Sequence, residues 1–312
     1  MTAAPASLPA GSPVGALAWR RFRRHRVALA SAILLLLFAL LSAFAPLFES
    51  LSGAPQWRVD LPGRLAPPTL ARPLGTDELG RDMFVRILYG GRVSLLVAVV
   101  AALASALVGT AIGLFAGWYR GVVDTLLMRL TDSVISLPLL PLLIVLAAVD
   151  PAALGLPDAV AASPSFGIWR ISLIITLVGW TRVARLVRAA TLSVREREFV
   201  LAAVAMGAGP LRIMARHILP NVLSPVIVAT TLSVGGIVLF ESVLSFLGLG
   251  IRPPLASWGN MLTGAQDLVW EAPLLVFWPG LAIFATVIAF NFLGDGLQEA
   301  LDPRASDDRA GE

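Results

Sequence analysis

The 312-residue sequence contains no lysine, so all 24 of its basic residues are arginines. A P-loop needs a lysine to reach the β- and γ-phosphates of a nucleotide, and a P-loop ATPase site within this chain is thereby excluded. Cysteine is also absent, which removes thiolate metal sites, thiol nucleophiles and disulfides. The two histidines, His25 and His217, are too far apart in sequence for an HExxH zinc motif. Charged residues amount to only 14% of the chain, and the formal net charge of +4 is small. In so apolar a chain that excess points to arginines on the cytoplasmic face of a membrane and not to a nucleic-acid partner.

What is abundant is apolar: 57% of the residues are hydrophobic and the mean hydropathy is +0.82. Lipid offers no water to satisfy backbone N–H and C=O groups, so only helices or closed barrels cross it, and the apolar runs lack the alternation of a barrel strand. An all-α integral membrane protein follows. Five arginines, Arg20, Arg21, Arg23, Arg24 and Arg26, close a cytoplasmic tail over 1–26 and precede the apolar run 27–48. That run exceeds a signal-peptide core in length and is read as an uncleaved first span. Further spans are expected at about 93–117, 123–149, 167–189, 222–249 and 273–297, each long enough for a hydrocarbon core of about 30 Å. A C-terminal tail occupies 301–312, and six crossings put both termini on one side.

Arginine distribution orients the spans. Arg182, Arg185, Arg188, Arg195, Arg197, Arg212 and Arg216 cluster around the connection between the fourth and fifth spans, and with the N-terminal group they mark the cytoplasm. The segment 49–92 is placed outside the cytoplasm yet carries six arginines, in conflict with this rule; its five acids are possible partners for them. Arg182, Arg185 and Arg188 share a helix face that could anchor at lipid headgroups or meet acids on a partner. Gly109, Gly113 and Gly117 put small residues on one face of the second span, where a neighbouring backbone can approach closely.

The stretch 198–224 is too polar at its edges to be a span and too apolar for an idle connector. It reads as two short helices, Phe199 to Met206 and Leu211 to Leu219, separated by the turn Gly207-Ala208-Gly209-Pro210. Leu201-Ala202-Ala203-xxx-Gly207 followed by His217-Ile218-Leu219-Pro220-Asn221 resembles the EAA loop of ABC-importer permeases, with Leu201 where the family has Glu. Gly75-Thr76-Asp77-Glu78-Leu79-Gly80-Arg81-Asp82, Glu241-Ser242-Val243-Leu244-Ser245-Phe246-Leu247-Gly248-Leu249-Gly250, Ser257-Trp258-Gly259-Asn260-Met261 and the ending Gly294-Asp295-Gly296-Leu297 with Leu301-Asp302-Pro303-Arg304 are similar to the dipeptide/oligopeptide/nickel permease group, its "C" member above all.

The resemblance implies a MetI-like permease fold in a bacterial cytoplasmic membrane, working without a cofactor or catalytic site of its own. ATP and Mg would bind two partner ATPase subunits, with Phe199, Ala202, Ala203, Met206 and Gly207 at or near the ATPase contact and Gly207 making the turn. A second, non-identical permease and an extracytoplasmic solute-binding protein are the other implied partners. The cargo would be peptides, with nickel complexes and glutathione as alternatives. Glu241, a carboxyl group within the fifth span, needs a partner; it either lines the pathway or ties helices together. A secondary transporter would not need the 198–224 loop, and no residue constellation for an intramembrane enzyme is present in the spans.

Overall fold

A computed structural model describes residues 19–53, 55–161 and 163–301; the family-like ending Asp302-Pro303-Arg304 and residues 1–18 lie outside them. Among the described residues the chain is helical, with one isolated β-bridge between Thr76 and Asp82. The first span, α1 (Arg26–Ala43), stops short of the expected 48 because Pro46 opens a separate short helix, α2 (Ala45–Ser52). The second, α3 (Met83–Tyr119), begins ten residues earlier than the expected 93. Asp82 caps it, accepting from the backbone N–H groups of Phe84 and Val85.

The expected third span, 123–149, is not one helix. It is two, α4 (Gly121–Ser136) and α5 (Leu139–Ala148), bent by 88° at Leu137-Pro138. Proline disfavours the helical conformation of the residue before it, and Leu137 is accordingly extended. The fourth span is α6 (Pro164–Arg195). After it come α7 (Glu198–Ala205), α8 (Pro210–Ile213), α9 (Leu219–Phe246), α10 (Trp258–Leu262) and α11 (Leu274–Leu301).

The expected separate helix Leu211 to Leu219 is also corrected. α8 runs through a π-helical turn, Met214–Ile218, directly into α9, so Pro210–Phe246 is one continuous span. Pro220 in a regular helix would lack an N–H and crowd the carbonyl four residues back; the wider π turn ahead of it absorbs that misfit. Among the described residues five helices are thus long and apolar enough to cross a bilayer, and the bent pair makes a sixth candidate crossing.

Packing decides that count. A Cβ placed on Gly109 would meet Trp180 O, on Gly113 Ala184 O, and on Gly117 Thr191, all within 2.6 Å. The two sequences advance together, so α3 and α6 are parallel and end on the same side. The pair α4–α5 must therefore bring the chain back. Its start meets the end of α6 through Asp124–Arg188, and its end meets the start through Arg170, which donates to the carbonyls of Ala147 and Val149. Residues 170 and 188 are about 27 Å apart along a helix, close to a hydrocarbon thickness. The bent pair is the third of six crossings. His25, the N-cap of α1, lies 3.6 Å from Glu299 in the last turn of α11, so the first span starts where the last one ends.

Two apolar clusters fill the bundle. Val97, Ala101, Ile171, Ile175, Val238 and Trp258 belong to the outer one, and Leu114, Val187, Val194, Val200, Ile213 and Ile218 to the inner one. Leu36, Leu103, Leu107, Leu173 and Phe284 stay exposed on the spans, the arrangement expected of lipid-facing helix surfaces.

Candidate functional site

The inner end of the bundle carries α7. Its run of helix formers stops in a Schellman arrangement: Ala208 N–H donates to Ala203 O, and Gly207 N–H to Val204 O. Gly207 has φ +80°, the left-handed conformation expected of this turn, and a Cβ there would meet nothing within 4 Å. The obstacle to substitution is therefore conformational, not steric.

Of the five residues singled out in this loop, four present themselves to the exterior. Met206 is 81% exposed and Phe199 41%, while Ala202 and Gly207 are exposed as well. Ala203 differs. It is buried, packed in the same cluster as Val200, Ile213 and Ile218, because the C-terminal stop turns that face of α7 back onto the start of the fifth span. Its small side chain serves the loop's own packing. Leu201, Val204 and Leu211, which were not among the expected contact residues, are exposed as well and add apolar area to this end. A helical wheel of residues 198–205 with Val200 and Ala203 inward turns Leu201 outward.

The loop is tied to the spans by side chains. Arg195 donates to Trp118 O at 2.8 Å and sits 5.3 Å above the Trp118 ring, and Arg120 pairs with Glu196. His217 faces the Phe199 ring at 6.4 Å between centroids. Arg185 and Arg188 do not wait for a lipid or an external acid: they pair with Asp132 and Asp124 on α4.

The outer end is organised by the two polar motifs. In the first, the Asp77 carboxylate accepts from the N–H groups of Leu79 and Arg81 and pairs with the guanidinium groups of Arg81 and Arg86. Thr76 Oγ1 donates to Gly63 O and accepts from Ala66 N–H. Gly80 at φ +74° leaves no space: a Cβ there would lie 1.9 Å from Asp60 O. With Arg72 on Asp60, three of the six arginines in 49–92 are neutralised locally, and Arg86 and Arg92 lie on α3 itself. Local pairing resolves much of the charge conflict, since a compensated arginine in a folded cap is not a free cation in a loop.

In the second, Glu241 is fully buried. Its Oε2 accepts from Ser94 Oγ on α3 at 2.8 Å and its Oε1 from Ser245 Oγ at 2.7 Å. Those hydroxyls in turn accept from Trp258 N–H and Ile251 N–H, while Trp258 Nε1–H donates to Ile87 O. Asn260 closes a capping box with Ser257 and also holds the carbonyls of Ile251 and Leu255. Of the two readings open for Glu241, the observed contacts are those of a tie between helices.

Two cavities lie against α5 and α6, one bounded further by α4 and α9 and the other by the segment that follows α9. The inner one, 470 Å³, is lined by Ser105, Leu143, Gly179, Arg182, Ser233 and Gly236 among others. The outer one, 550 Å³, opens beside Asp150, Arg170 and Arg252. Among the described residues there is no cluster of three or more His, Asp or Glu side chains able to hold a metal ion.

Six crossings around an apolar inner loop and two cavities define a polytopic transport subunit. Residues 109–307 match the family described as binding-protein-dependent transport system inner membrane component, and the chain belongs to that family. Residues 14–68 match the N-terminal TM domain of oligopeptide transport permease C. The chain is 40% identical over 295 residues to a putative peptide transport system permease protein of Brucella abortus, covering 94% of this chain and 93% of that one. It is 38% identical to the dipeptide transport system permease proteins DppC of Alkalihalophilus pseudofirmus and Bacillus subtilis, covering 92% of this chain and 89% and 85% of theirs.

Proposed function

We propose that this chain is one of two non-identical permease subunits of an ABC importer that brings di- or oligopeptides across the cytoplasmic membrane. Two ATPase subunits drive it from the cytoplasm, where they bind ATP and Mg, and a solute-binding protein delivers the peptide outside. The observation that carries this reading is α7, a rigidly capped helix at the inner end of the bundle whose Phe199, Leu201, Val204 and Met206 form an exposed apolar surface. Such a surface on a mobile loop would be a liability; on a braced helix it is a docking element. Ala203 supports it from beneath, and Gly207 sets where it stops.

The arginines surrounding α7, at positions 195, 197, 212 and 216, favour the cytoplasm for this end, and the contact of His25 with Glu299 supports a common side for the start of the first span and the end of the last. The names of the relatives support peptides as the cargo. The test is reconstitution of the whole complex in proteoliposomes with loaded binding protein. Di- or oligopeptides should stimulate ATP hydrolysis and accumulate inside. Stimulation by nickel complexes or glutathione alone would reassign the cargo, and uptake without any ATPase would overturn the reading.

A further inference from the structure

The outer cavity has an uneven distribution of charge that the bundle's own packing uses only in part. Three elements meet there: the end of α5 with Asp150, the first turns of α6 with Arg170, and the segment after α9 with Arg252. Arg170 is held in place, since its Nη2 donates to the carbonyls of Ala147 and Val149. A guanidinium carries five N–H groups, so this anchoring leaves three for another acceptor. Arg252 is exposed, and no ion pair is found for it or for Asp150 among the described residues. Asp150 uses Oδ1 to cap the turn at Ala152, which leaves Oδ2 open.

The ten residues 165–174 hold Arg170 as their only charge, and 245–254 hold only Arg252. At this same end Arg72, Arg81 and Arg86 are matched to acids, whereas Arg252 lines a cavity without one. Two cations and one anion around a 550 Å³ cavity complement a molecule with a carboxylate at one end and an ammonium at the other. We infer that this cavity is an outer subsite for the charged termini of a peptide: Arg170 and Arg252 take the C-terminal carboxylate and Asp150 the N-terminal ammonium. The inference rests on the proposed peptide cargo, and the subsite would act after release from the binding protein and before passage into the less polar inner cavity.

The experiment uses the complete complex in proteoliposomes, with uptake and ATP hydrolysis measured for a free peptide, its C-terminal amide and its N-acetyl derivative. Binding-protein preference is common to wild type and variants, so the change in ratio between them isolates this chain. Arg252→Gln is expected to reduce the free-to-amide preference roughly tenfold, in the range of a lost charge-assisted hydrogen bond. Asp150→Asn, which keeps the cap, is expected to reduce the free-to-acetyl preference and leave the amide ratio unchanged. Unaltered ratios in both variants, or a wild type indifferent to both modifications, would overturn the subsite while leaving peptide import intact. A wild type that no peptide stimulates would instead remove the underlying reading, and the subsite with it. Should Arg252→Gln also lower peptide-independent hydrolysis, Arg252→Lys decides: recovery with the preference kept supports the assignment, and recovery without it refutes it.

Discussion

Ser94 on α3 and Glu241 on α9, 147 positions apart, meet through a 2.8 Å hydrogen bond at a place where neither residue has any solvent exposure. The same serine receives Trp258 N–H, so a single hydroxyl links two spans and the short helix α10. Glu241→Leu leaves two buried hydroxyls without their acceptor and is expected to lower stability by about 1–3 kcal/mol. Glu241→Gln keeps an acceptor and adds donors that serine oxygens can receive, and should stay within about 1 kcal/mol of wild type. Thermal unfolding of the purified complex in detergent measures both. Loss of transport in Glu241→Gln at unchanged stability would show that the carboxylate does more than tie helices.

Gly80 and Gly236 offer a contrast in what a methyl group costs. Gly80→Ala drives a Cβ into Asp60 O at a positive φ and should disorder the outer cap formed by residues 57–82, seen as new protease cleavage there. Gly236, with open space around its Cβ position, is the control. Gly236→Ala should leave the cleavage pattern unchanged.

Ala203 on α7 is buried, and Met206, the C-cap residue three positions on, is exposed. Ala203→Asp buries an unpaired charge in the inner cluster and should disturb folding of the loop itself, detectable as a lower melting temperature. Met206→Asp touches no core and should preserve folding and insertion while reducing co-purification of the ATPases at least tenfold, a hot-spot-sized loss. Equal ATPase recovery with Met206→Asp would remove this surface from the coupling interface.

Gly207→Ala forces a left-handed conformation on a residue with a Cβ at a cost of about 1 kcal/mol, although space is available. Gly209→Ala, at φ −69°, carries no such penalty. ATP hydrolysis stimulated by loaded binding protein should fall in the first and hold in the second.

The ion pairs between α4 and α6 differ in depth. Arg188–Asp124 is the more buried, with the Asp124 side chain 15% exposed, whereas both partners in Arg185–Asp132 are about half exposed. A double-mutant cycle should return a coupling of about 1–2 kcal/mol for the first and under about 1 kcal/mol for the second.

Much of this was legible in the residues. Runs of twenty or more apolar residues carry their own consequence, because lipid forces their backbone into helices; five of the six expected spans overlap, with shifted ends, helices long and apolar enough to cross. The Gly109, Gly113 and Gly117 spacing foretold a close helix contact, and Gly207 a left-handed turn, since both are local properties of one face or one residue. The bend at Leu137-Pro138 and the fusion of α8 with α9 were not legible. Proline bends a membrane helix in one context and is absorbed by a π turn in another, and the difference lies with the neighbours that re-satisfy the backbone.

By itself, then, the sequence determined a helical membrane protein without lysine, cysteine or a P-loop, and it held the motifs of its family. The tertiary structure alone decided what those motifs do. Asp77 gathers arginines, Glu241 anchors Ser94 and Ser245, and Ala203 turns inward while Met206 turns out. Hydropathy is additive along a chain and can be summed from letters. The partner of a buried carboxylate such as Glu241, or the side of a short helix that faces solvent, depends on groups brought together from separate elements, and packing alone fixes which groups those are.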